Sequence, residues 1–435
     1  MKLFNLNERF KWLYLILFIL NFTWLKAQQS IYLKIQAEDF QPINLVVSPF
    51  RSEIPTDITS QVRKIFINDL TLSGFFTIID NTLTNNPLWE YSFMSGDSSR
   101  PQAAAQVEAH LVFEEDIISL WVKLQDLPSQ KVIFQKAYTT TLSGLRWLAH
   151  AVADEVVYYL VGEPGVACTR LTFVTDFAQA KELALVDYDG HGLKQLTANG
   201  SINLSPAWSP NGELLAFTHF KDDNPNLMLF DLDERRMVSA STERGLNTAP
   251  AWSPDGKKIA LTLSRDGNPE IYTLDVKRSK LTRLTNHPAI DSSPTWSPNG
   301  RIIAFTSDRS GTPQIYLMDA EGGNVRRLTF EGNYNDSPTW SPKSERLAHV
   351  SRIDGYFHIF TIDVTGENRQ QLTTGSYQNE DPCWAPDGFR LAFASNRQGQ
   401  WDIYVMNWDG TQLRRVTTSG GNRAPAWSPR LVEIK

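Results

Sequence analysis

The sequence predicts a six-bladed β-propeller preceded by a smaller α/β domain. Three observations carry this: a tandem repeat of about 44 residues, incomplete repeat fragments at its two ends, and an unrepeated stretch of mixed periodicity before it. Trp208, Trp252, Trp296, Trp340, Trp384 and Trp427 stand 44, 44, 44, 44 and 43 residues apart, five in Trp-Ser-Pro and one in Trp384-Ala385-Pro386. One unit reads clearly from Asp291 to Thr329. Ser-Pro-Thr-Trp-Ser is an inner strand, and Pro298-Asn299-Gly300 is a tight turn, because Pro presets φ and Gly accepts a positive φ. Apolar runs at 301–306, 314–318 and 325–329 supply three more strands. Four short antiparallel strands per repeat is the pattern of a propeller blade.

The ends complete one another. The second-strand pattern occurs six times, near 170–175, 213–219, 257–263, 301–306, 346–351 and 390–395. Its first copy has no inner strand before it, and the last inner strand, Ala426-Trp427-Ser428, has no strands after it. The C-terminal strand is therefore expected to pair with the strand beginning near Arg170, closing the propeller and removing two free sheet edges. Lys194, Arg283, Arg326, Arg327, Arg369, Arg414 and Arg415 fall on the outer strands, where charge discourages edge-to-edge pairing.

Residues 28–162 are predicted as the α/β domain and 163–435 as the propeller. In the former, 43–47 and 75–79 read as strands. Residues 57–72 form a helix stopped by Gly74, 103–109 a short helix, and 110–113, 117–125 and 131–139 strands; 142–160 is a second helix. Residues 1–27 read as a secretory signal peptide: Lys2, Arg9 and Lys11 precede a 14-residue apolar run, Trp12–Leu25. As a helix that run reaches about 21 Å, short of the about 30 Å of a bilayer core; an uncleaved anchor is the alternative. Its removal takes away four cations and one anion, moving the formal charge from −6 to −9. An acidic chain is a poor match for nucleic acid. Cys168 and Cys383, the two cysteines, are expected as free thiols.

No catalytic machinery is legible: no nucleophile elbow, Walker loop, His-Glu-x-x-His or dinucleotide fingerprint. No catalytic residue, cofactor or metal site is expected. One ring of residues has to be weighed. Asn203, Asn247, Asp291, Asn335, Asn379 and Asn422 lie three residues before the repeated Pro, where each inner strand starts at the mouth of the channel. They either close local turns through nearby backbone amides or form a polar funnel for a partner or cation.

The leader, the α/β domain, the six Trp-Ser-Pro-Asp-Gly-like blades and the segments Ile31–Gln36 and Pro42–Val47 together resemble the TolB family of the Tol–Pal system. The absence of a hydrolase domain before Lys435 agrees with that. The resemblance implies a periplasmic, non-enzymatic adaptor that does not span the membrane and supports outer-membrane integrity and cell division. It implies the lipoprotein Pal as a partner on the face with the channel mouth, through Leu246, Asn247, Ala249, Asp291, Ser292, Ser293, Asn335 and Ser337. It implies TolA as a partner of the mature N-terminus, through Gln29, Ser30, Ile31, Tyr32, Leu33, Lys34, Ile35 and Gln36, and other outer-membrane proteins beyond these. The alternative is a secreted propeller enzyme or carbohydrate-binding module using the channel.

Overall fold

Strand Ile43–Val47 (β1) is the first element described in a computed structural model that describes residues 41–52, 56–80, 103–114, 116–221, 224–343 and 346–431. The leader and the segment Gln29–Gln36 lie outside the described residues. β1 is followed by the short strand Arg51–Ser52 (β2), helix Thr56–Leu72 (α1) and strand Phe76–Asp80 (β3). β3 returns parallel to β1, a βαβ unit. Strands Ala105–Glu114 (β4), Ile117–Asp126 (β5) and Val132–Thr140 (β6) then form an antiparallel meander. The sheet order is β3-β1-β4-β5-β6, with β2 also paired to β4.

Residues 103–109, predicted as a helix, begin β4 instead. Alanine favours a helix locally, but Leu45, Val46 and Val47 take 105–107 as parallel partners, and Val107, Ala109 and Leu111 alternate into the core. Helix Leu145–Val161 (α2) ends on Gly162, whose φ of +82° allows its N–H to reach the Tyr158 carbonyl at 2.8 Å. α1 and α2 cover one face of the sheet, burying Val62, Phe66, Leu70, Val152 and Val156 against Leu45, Leu111 and Leu120.

Six four-stranded sheets follow. The first is composite: Asn422–Trp427 pairs with Arg170–Phe177, which continues into Ala180–Asp187 and Lys194–Gln195. The register sets Trp427 opposite Leu171 and Asn422 opposite Thr175. The predicted closure is therefore present. Each sheet is too thin to bury its own faces, so the apolar core lies between blades; Val174, Leu183 and Leu185 of the first pack with Trp208, Leu215 and Phe217 of the second.

The α/β region sits against the propeller on the side where the inner strands end in Trp. Tyr188 donates to Asp69 at 2.8 Å, and His150 Nδ1 lies 2.6 Å from the other oxygen of the same carboxylate. Asp154 accepts the Ala167 and Cys168 N–H groups at 2.7 and 3.0 Å and faces Arg430 at 3.4 Å. Arg390 reaches the Ser73 carbonyl, and Phe75 meets Phe389 edge-on with centroids 5.7 Å apart. Burial pushes the Asp69 and Asp154 carboxyls up; His150 opposes this for the first and Arg430 for the second. Both cysteines are free. No helix among the described residues is long and apolar enough to cross a membrane.

Candidate functional site

The inner strands build the channel, and their shared sequence explains its shape. Each runs from an Asx to a Trp: Asn203–Trp208, Asn247–Trp252, Asp291–Trp296, Asn335–Trp340, Asn379–Trp384 and Asn422–Trp427. Every one carries a register shift at its centre. At that bulge Ser205, Ala249, Ser293, Ser337, Asp381 and Ala424 hold left-handed backbone, with φ from +47° to +54°. None is glycine, so each costs on the order of 1–3 kcal/mol, imposed by the surrounding sheet. These residues, the prolines after them and the Trp side chains line a channel of about 420 Å³.

Trp serves the ring rather than a ligand. The indole N–H of Trp208, Trp252, Trp296, Trp340 and Trp384 donates to Ala426, Ala207, Ala251, Thr295 and Thr339 carbonyls of the preceding inner strand, all at 3.1–3.2 Å. Trp427 departs from the pattern and donates to Thr169 Oγ1 at 2.8 Å. The indole at the closure thus anchors the strand that leads in from the α/β region.

The Asx ring is wholly buried. Its side chains do close local turns, through carbonyls rather than backbone amides, as Asn247 Nδ2 to the Glu243 carbonyl at 2.7 Å and Asn335 Nδ2 to the Glu331 carbonyl at 2.9 Å, and the Asn side chains also reach across blades. Asn203 Nδ2 donates to the Lys181 carbonyl and to Glu182, Asn247 Nδ2 to the Pro225 carbonyl, and Asn335 Nδ2 to Gln314 Oε1, at 2.9–3.1 Å. Asp291 instead takes two bonds from Arg309 at 2.8 and 2.9 Å. Of the residues predicted to face a partner, Asn247, Asp291 and Asn335 therefore expose no surface: the two Asn side chains join blades, and Asp291 is committed to Arg309 of its own blade. Ala249, Ser293 and Ser337 are half-buried at the channel wall, Ser292 is half-buried beside them, and Leu246 is exposed at the rim.

Leu246 has counterparts that sequence reasoning passed over. Ile202, Ile290 and Tyr334 precede the Asx in their own blades, at the same spacing of 44 residues. Ile202, Leu246 and Ile290 are 39%, 36% and 49% exposed, and Tyr334 leans on Phe357 with centroids 5.3 Å apart. They form an apolar arc over four consecutive blades. The remaining two blades carry Gln378 and Gly421 there.

The adjoining arc is charged. Asp336, held by Thr306 at 2.7 Å and Tyr334 at 3.2 Å, sits with Glu380 and Asp381 at the mouth. Burial and the Asp381 charge push the Glu380 carboxyl up to about 6, against the pull of Arg423. Burial also pushes Asp381 up; the Ala424 N–H opposes this and Asp336 adds to it. Arg423 is stacked 4.1 Å from the Trp401 ring. A surface half apolar and half acidic suits a protein partner presenting apolar side chains beside a cation. The contacts described above between the α/β region and the propeller lie at the opposite, Trp-bearing end, so among the described residues they leave this rim uncovered.

Among the described residues one His/Asp group has metal-ligand spacing, Asp69, His150 and Asp189. Arg146 already pairs with Asp189 at 2.6 Å, and Asp69 is taken by Tyr188 and His150. The group reads as part of the contact between the two regions.

Comparison with known proteins agrees with this architecture. The chain is 36% identical over 210 residues to a protein named TolB homolog from Chlorobium chlorochromatii, covering 47% of each chain. It is 37% identical over 192 residues to the Tol-Pal system protein TolB of Geobacter sulfurreducens, covering 43% of this chain and 44% of that one. The chain thus spans about half the length of the curated relatives it matches. The crystal structure of TolB from Acinetobacter baumannii superposes with a TM-score of 0.79 at 29% identity, covering 89% of this chain and 97% of that one. The family described as the TolB β-propeller domain matches residues 158–431, from the end of α2 through the closing strand, and the chain belongs to that family.

Proposed function

We propose that this chain is a periplasmic, non-enzymatic adaptor of the Tol–Pal system that supports outer-membrane integrity and cell division. It takes the lipoprotein Pal on the open mouth of the propeller and TolA on residues Gln29–Gln36. The supporting observation is the apolar arc of exposed Ile202, Leu246 and Ile290 with half-buried Tyr334, beside the carboxylates of Asp336, Glu380 and Asp381, on the face away from the α/β region. The buried Asx side chains and left-handed bulges set the backbone of that rim, while Leu246, Ala249, Ser292, Ser293 and Ser337 meet the partner. An isolated apolar residue on a surface carries little meaning, but four at one register position in adjacent blades form a patch.

The test is calorimetric titration of the signal-free protein with the soluble domain of a Pal-type lipoprotein. Leu246→Asp and Ile290→Asp are each expected to weaken capture by about tenfold or more, as for a central apolar anchor. Deleting residues 29–36 is expected to abolish TolA capture and spare Pal. Unchanged Pal affinity in both Asp variants would overturn the assignment of the mouth.

A further inference from the structure

The sheet of the α/β region has a second face, turned away from α1 and α2. Pairing sets Arg51, His110, Trp121 and Ala137 in one row across four strands. The neighbouring row is Glu108, Lys123 and Gln135. Directly paired residues share a face, and these alternate with the buried Ala109, Leu111, Leu120 and Val122. The face is not flat: it holds a hollow of about 490 Å³ walled at one end by Ser48, Pro49 and Phe50.

Two features make it a site rather than a solvated surface. The first is rigidity. Arg63 clamps the wall by donating to the Val47 and Ser48 carbonyls at 2.9 and 3.2 Å. Gln106 donates to Ser48 Oγ at 2.9 Å, and Phe50 rests against Phe66 of α1 with centroids 5.7 Å apart. The second is its composition. Trp121 is 49% exposed in the middle of a sheet, and its neighbour Ala137 is too small to cover it. An indole left open beside planar, hydrogen-bonding groups provides a stacking surface for the C–H face of a pyranose, with polar groups placed for its hydroxyls. Arg51 and Lys123 outnumber the single carboxylate of Glu108, which lies 3.6 Å from Lys123. In a chain with a formal charge of −6, a patch with excess cationic groups favours an anion.

We propose that this hollow is a binding site for an acidic saccharide. One sugar ring stacks on Trp121, and the carboxylate of the same or the adjacent residue is held by Arg51 and Lys123. The site is separate from the channel mouth and stands whether or not the mouth takes Pal.

The experiment is calorimetry and saturation-transfer NMR on the whole signal-free protein, with a hyaluronan tetrasaccharide as uronate probe and cellotetraose as neutral control. The uronate sugar is expected to bind, with cellotetraose weaker by about tenfold. Trp121→Ala is expected to abolish transfer to the sugar ring protons, and Lys123→Gln to bring the two sugars to similar affinity. Trp121 is exposed and Lys123 half-buried, and unchanged thermal unfolding of each variant certifies its fold. No binding of the uronate sugar, binding that survives Trp121→Ala, or equal affinity for both sugars would each overturn the proposal.

Discussion

Replacing His349 by Phe is expected to stabilise the propeller and to flatten part of its pH dependence. His349 lies in the second strand of the fifth blade, two residues after Leu347, which pairs with Trp340. The same register position holds Phe173, Phe217, Leu261, Phe305 and Phe393 in the other blades, all fully buried. His349 is equally buried, yet neither ring nitrogen has a hydrogen-bond partner. Each such atom costs about 1–3 kcal/mol. Phe removes both and fills a space that four sibling blades already fill, so a gain of about 1–3 kcal/mol near neutral pH is expected after repacking.

Burial, followed by the nearby Arg369 charge, lowers the His349 pKa to about 3, against an ordinary value of about 6.5 in the unfolded chain. As pH falls below 6.5 the unfolded state binds a proton that the folded state refuses. Stability therefore drops by about 1.4 kcal/mol per unit between pH 6.5 and 3, or about 2 kcal/mol by pH 5. Urea unfolding followed by Trp fluorescence at pH 7.5 and pH 5 measures both effects. His349→Phe should lose about 2 kcal/mol less than the parent over that interval. Equal losses in the two proteins would show that His349 is hydrated or paired in solution and refute the reasoning.

Trp427→Ala is expected to lower the melting temperature more than Trp252→Ala: both lose an indole and its hydrogen bond, but Trp427 is buried, worth about 3–5 kcal/mol, and its bond to Thr169 ties the closing strand, whereas Trp252 is half-buried; equal shifts in calorimetry would deny the closure its special cost. Asp154→Ala leaves the Ala167 and Cys168 N–H groups and Arg430 without their carboxylate, so a loss of about 3–5 kcal/mol is expected, read as a lowered unfolding midpoint. A partner cation at the mouth favours ionised Glu380, whose pKa of about 6 makes capture strengthen as pH rises through 6. Glu380→Gln should abolish that dependence in titrations at pH 5.5 and 7.5.

The propeller was legible because its determinants are local and repeated. Trp at a fixed spacing, Pro-Asn-Gly turns and the count of second strands required no knowledge of distant contacts, and the closing pair followed from two fragments that lacked one another. The helix read at 103–109 failed where locality failed: alanine propensity is overridden once Leu45–Val47 supply parallel partners. The apolar arc was present in the sequence as four single hydrophobes spaced by 44. Nothing local separates an exposed Ile290 from a core residue, so only burial in the assembled ring revealed it.

The sequence alone thus determined blade number, strand order and closure, since each rests on periodicity and turn chemistry. The tertiary structure decided what the channel mouth presents. Six non-glycine residues adopt left-handed backbone there because paired sheets impose it, and the five Asn side chains turn inward because acceptors lie about twenty residues back, in the preceding blade. Exposure at the rim is what remains after those long-range bonds are made.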